Sequence, residues 1–265
     1  MKAATLAFLA LAATISPAPA NTTPEACGWP RPVQRQVLGQ ATRLMPHALA
    51  RILRRHEHAV RQGAEAQRRL KPELPHAQGM EPGDGTAERL AASLARITAL
   101  LDDHAPLKRV AREFGAASHL VTDLSNPFRT APRDQDAALF EDRFLQYISD
   151  HLPNMRVVFT SYQDPLLESG LTTEFGRQLA AQSRSYLDDL VGAFRRFDAS
   201  GDPAFMDERS VPFGVASLSY SRSVMDTARV WLHAWRQAHG DLTDLPFPLT
   251  HPETASSATG TKGPP

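Results

Sequence analysis

Apolar residues recur along this chain at helical intervals. Val33, Val37, Ala41 and Leu44 form one stripe, and Leu49, Ile52, Leu53, Val60 and Ala64 form the next. Spacings of three and four put side chains on one face of a helix, whereas a half-buried strand alternates. No alternating run is long enough to predict a sheet. Pro32 suits a first helical turn, and Pro46 interrupts the pattern. A second helix is predicted over 47–70. Pro72, Pro75 and the stretch from Gly79 to Gly85 then mark a long connection.

The next helix opens at Thr86, with Leu90, Leu94, Ile97 and Leu101 as its stripe. Pro106 starts another, carrying Leu107, Val110, Phe114, Ala117, Val121 and Leu124. Further helices are predicted over 134–151, 173–197 and 210–239, with an irregular stretch at Pro153, Pro165 and Gly170. Short connections and the lack of an internal repeat predict an all-α fold, a single antiparallel multi-helix bundle.

The ends read differently. Lys2, an apolar run to Ile15 and the Ala-x-Ala pattern ending at Ala20 predict a signal peptide over 1–20, too short for a stable membrane span. A linker over 21–28, the helical domain over 29–240 and a Pro/Ser/Thr-rich disordered tail over 241–265 complete the expected organisation. Export would place the protein in the periplasm or outside the cell. Cys27 alone excludes an internal disulfide, and Glu25 spoils a lipidation signal before it. The formal net charge is zero, so nucleic acid held by phosphate electrostatics is disfavoured. Oligomeric state is left open.

Chemistry concentrates in His119-Leu-Val-Thr-Asp123-Leu-Ser-Asn-Pro127-Phe-Arg129. A His and an Asp four apart project from one side of a helix, where both can reach one metal ion. They fall nearly opposite the apolar stripe, beside Arg112, Gly115 and Ala116. Two arrangements satisfy that: a solvated face with a weak His–Asp pair, or a central helix covered on both sides. In the second, Gly115 and Ala116 leave room for a metal or another helix.

These segments resemble the zinc-dependent phospholipase C family, which shares an all-α fold with the fungal single-strand nucleases. Its members carry a His, then an Asp four residues on, then Pro and a second His; His119, Asp123 and Pro127 match, with Arg129 at the second His. Trp29 resembles the tryptophan that binds zinc through its amine and carbonyl, but no histidine follows before His47. Glu141 matches the acid of a His-to-acid pair, with Ala137 at its histidine, and His76 alone represents an earlier Asp–His pair. The likeness spans most of 29–239 and is strongest over 105–145.

The resemblance implies zinc at up to three positions, with metal ligands His76, His119, Asp123, Glu141 and Trp29, and catalytic roles for Asp123 and Arg129. The losses imply fewer than three ions, down to none. His76, His119 and Asp123 would hold one zinc, whose water attacks a phospholipid or other small phosphodiester while Arg129 neutralises developing charge. Arg129 beside two carboxylates also suits an ion pair, replacing one zinc by a permanent charge. Cleavage after Ala20 would start the mature chain at Asn21 and leave Trp29 without a free amine, whereas a later cleavage after Ala26-Cys-Gly28 would start it at Trp29 and supply one. A competing expectation is an inactive relative serving as a cell-envelope binding or structural protein.

Other candidates have plainer explanations. His56 reads as a core or interface histidine, His104 as a helix-end cation, and Trp231 with Trp235 as core. Arg54-Arg55 and Arg68-Arg69 read as solvated faces. Ser219, Ser221 and Ser223 lack the Gly-x-Ser-x-Gly elbow of a serine hydrolase.

Overall fold

A computed structural model describes residues 28–68, 83–132 and 135–249. Ten α-helices follow one another among them. These are α1 (Arg31–Arg43), α2 (His47–Arg55), α3 (Glu57–Arg68), α4 (Asp84–Asp102) and α5 (Leu107–Leu124). Then come α6 (Gln135–His151), α7 (Pro165–Glu168), α8 (Thr172–Arg184), α9 (Leu187–Ser200) and α10 (Val211–Gln237). No strand occurs among the described residues, and none of their helices is long and apolar enough to cross a membrane. The fold is an all-α bundle.

Two helices form its centre. One is α10, whose 27 residues extend about 40 Å at the usual rise. It lies against α1, α4, α5, α6 and α9. The other is α5, clasped between α3 and α4, so the solvated-face alternative does not hold. Fully buried Trp231 joins the two: its ring meets Phe114 edge-on, and its Nε1 donates to the Phe114 carbonyl at 2.8 Å. An indole has a large apolar body and a single donor, and this position satisfies both.

The contact between α3 and α5 is backbone against backbone. A methyl group on Gly115 would sit 1.8 Å from the Val60 carbonyl oxygen, and one on Gly63 would sit 1.7 Å from that of Arg112. Beside Gly115, therefore, the space is filled by another helix.

Three boundaries differ from expectation. The helix predicted over 47–70 breaks at His56 (φ −112°, ψ 26°), and the one over 173–197 divides between Arg184 and Leu187. Neither break carries proline or glycine, and at His56 the i to i−4 hydrogen bonds from His56 to Ile52 and from Val60 to His56 persist across it. The stretch from Asp241 to Leu249, expected to belong to the tail, packs back on the bundle. There Phe247 meets Phe159 at 5.1 Å, the Trp235 Nε1 donates to the Asp241 carbonyl, and Leu242, Leu245 and Leu249 touch the core. The expected signal peptide, Cys27, His76 and the tail from 250 onward lie outside the described residues.

Candidate functional site

The site is built where α5 ends. Val121 and Leu124 bury one face of its last turns while His119 and Asp123 face the other way. Asn126 then closes the turn, its Oδ1 accepting from the Phe128 amide at 3.0 Å and its carbonyl from the Arg129 amide at 3.0 Å. Asn side chains stabilise such turns by mimicking backbone acceptors. Phe128 packs on Phe144 of α6 with ring centres 5.6 Å apart. The turn and that aromatic anchor carry Arg129 to α6, where its Nε lies 2.6 Å from Glu141 Oε1. The two side chains are only 12% and 17% exposed, so this is a mostly desolvated ion pair.

His119 is buried, its Nε2 lying 3.4 Å from Asp123 Oδ2. The other oxygen, Asp123 Oδ1, is buried without a hydrogen-bond partner among the described residues. Burial is the main influence on the imidazole and holds its pKa below the ordinary 6.5; Asp123 opposes that shift, and Arg68, Arg129 and Arg89 add to it. The folded chain thus takes up this proton less readily than the unfolded one. Its contribution to stability is fully present above pH 6.5 and is lost as pH falls toward and through the folded-state value. Melting curves from about pH 7 down to pH 5 should show a steeper loss for wild type than for His119→Gln. Equal slopes would contradict this assignment.

The start of the domain closes over the same place. Gly28, at φ +111°, lies so near His119 that an added methyl would come within 2.6 Å of the imidazole Cε1. Trp29 is fully buried, and its carbonyl accepts from Arg68 Nη1 at 3.0 Å. Behind it Gln34 bridges to α5, donating to Ser118 Oγ at 3.2 Å and accepting from Thr122 Oγ1 at 2.9 Å.

In front lies a cavity of about 330 Å³ between α1 and α3, lined by Trp29, Arg31, Arg35, His58, Arg61, Arg68 and His119, among others. Glu65 is the one carboxylate among its described lining residues. It pairs with Arg31 at 2.9 Å, and Arg61 lies 3.6 Å from Glu57. Both arginines are exposed enough that such pairs add little stability and leave the cations accessible.

Among the described residues, the donor set falls short of the expected zinc positions. A catalytic zinc takes about three protein ligands and an open position. Of the residues implied by the family resemblance, the structure brings together His119 and Asp123, and Trp29 lines the same cavity as His119. Glu141 is engaged by Arg129, and the Trp29 carbonyl by Arg68, so fixed cations stand at two of the implied ligands. Among the described residues, no three His, Cys, Asp or Glu side chains form a group that could hold a metal. His76 falls within 69–82, outside the described residues.

No protein-family profile matches this chain, and no curated protein does either. Among solved structures it is similar to alpha-toxin from an avian strain of Clostridium perfringens, with a TM-score of 0.58 at 12% sequence identity. The match covers 82% of this chain and 65% of the toxin chain. The two share a fold. At that identity the likeness speaks for architecture alone, and this chain spans about two thirds of the toxin's length.

Sequence reasoning missed Arg68 as a site residue. Arg68 was expected on a solvated face; it is half-buried and bonded to Trp29. The cationic cavity was also missed, because a net charge of zero hides a strong local excess. From Gly28 to Arg68 the chain carries eight arginines, two glutamates and neither lysine nor aspartate.

Proposed function

We propose that this protein binds a phosphate ester, a phospholipid head group or other phosphodiester, in the cleft between α1 and α3, with arginine doing the work that metal does in a zinc phospholipase. The carrying observation is the cavity that gathers Arg31, Arg35, Arg61 and Arg68 around Trp29 and His119. Guanidinium groups match phosphate oxygens with paired, charge-assisted hydrogen bonds. The cavity volume suits a small ligand. The resemblance to the phospholipase C family and the shared fold with alpha-toxin fit a cleft inherited from phosphodiester chemistry. Residues 1–20 support export to the periplasm or beyond.

Isothermal titration with glycerophosphocholine and glycerol 3-phosphate tests this reading. Binding should weaken with added salt and be indifferent to chelator, and a chromogenic phosphodiester should stay intact. No binding of either ligand at low ionic strength would refute it.

One observation favours a second reading, a phosphodiesterase with a single zinc on His76, His119 and Asp123. It is the partnerless Asp123 Oδ1 beside the buried His119 imidazole. Chelator-sensitive hydrolysis that disappears in His119→Ala would put that reading in place of the first.

A further inference from the structure

We propose that Arg68 and Arg129 are permanent structural cations of the site, fastening the Trp29 carbonyl and the Glu141 carboxylate so that the bundle folds and stays folded without a divalent ion. The inference rests on local geometry and stands whether or not a phosphate ester binds.

Each arginine joins segments distant in sequence. Arg129 extends from the Asn126 turn to α6, reaching Glu141 at 2.6 Å with both side chains largely out of water. Arg68 stands at the end of α3 and reaches the segment leading into α1, donating to the Trp29 carbonyl at 3.0 Å. A carboxylate withdrawn from solvent requires a nearby cation or must take up a proton. A metal ion meets that need only while bound, whereas a guanidinium is covalently part of the chain and keeps its charge at any pH a protein tolerates.

Arg129→Met would leave Glu141 without its cation in a site with little water. Removing one member of a buried pair is costlier than removing both. The Arg129→Met/Glu141→Gln double variant should therefore recover part of the loss, and Arg129→Lys, which keeps charge but not the fork, should fall between.

Thermal melts and native mass spectrometry of the full-length protein test the proposal together. Wild type should carry no stoichiometric zinc, and its melting temperature should be unchanged by EDTA. Arg129→Met should melt about 5 °C or more lower, with partial recovery in the double variant. Arg129→His/Ala137→His, which supplies the two histidines that the family resemblance implies, should acquire zinc and melt higher with it. A wild-type protein that loses stability in EDTA would overturn the proposal, as would an Arg129→Met variant as stable as wild type. Should Arg129→Met fail to fold, the wild-type response to EDTA still decides.

Discussion

Gly115→Ala and Gly63→Ala should each lower the melting temperature by about 10 °C or prevent folding altogether, from a cost of roughly 3 kcal/mol or more. Both glycines sit at the crossing of α3 and α5, where a methyl would fall 1.8 Å from the Val60 carbonyl oxygen or 1.7 Å from that of Arg112. These are backbone atoms, and neither can turn aside as a side-chain end can. Relief would require the helices to separate by more than an ångström, opening voids along a core packed at near-crystalline density. That separation would also shift Arg68 relative to Trp29, since Arg68 lies at the end of α3. Gly39→Ala is the control: on α1 nothing lies within 4 Å of the added methyl. There the gain in helix propensity should stabilise by about 0.5–1 kcal/mol. Urea or thermal unfolding of the three variants checks the set, and a Gly115→Ala protein as stable as wild type would refute the close crossing.

The second large effect concerns ligand binding. Reversing two charges at the mouth of the cavity, in Arg35→Glu/Arg61→Glu, should weaken phosphate-ester binding by about 100-fold at low ionic strength, at roughly tenfold per side chain. Arg35 and Arg61 both line the cavity and are solvent-exposed. Fold stability should therefore change little, within about 0.5 kcal/mol per site. The difference between wild type and variant should shrink as salt rises, because exposed charges are screened over about 10 Å at 0.1 M. Titration calorimetry at two ionic strengths measures both quantities. Undiminished affinity in the double variant would place the ligand elsewhere.

Much of this was legible in the sequence where local chemistry dictates the outcome. Pro106 and the Asn126-Pro127 pair bound α5 as expected, and the four-residue spacing brings His119 to Asp123. Arg129 meets Glu141 as a guanidinium among carboxylates should. What escaped was tertiary. Arg68 lies one turn beyond buried Ala64 on α3, at the edge of the buried stripe, and bonds the Trp29 carbonyl. Gly115 gave a hint of close approach, but only the fold shows that α3 fills the space. The arginine excess of α1–α3 was hidden by an overall charge of zero.

Anomalous diffraction at the zinc edge, from crystals of the full-length protein grown with added zinc, tests the central claim most directly. Guanidinium groups at Trp29 and Glu141 predict no anomalous peak among His119, Asp123, Glu141 and the Trp29 carbonyl. A strong peak bonded to His119 and Asp123, with Arg129 swung away from Glu141, would contradict it.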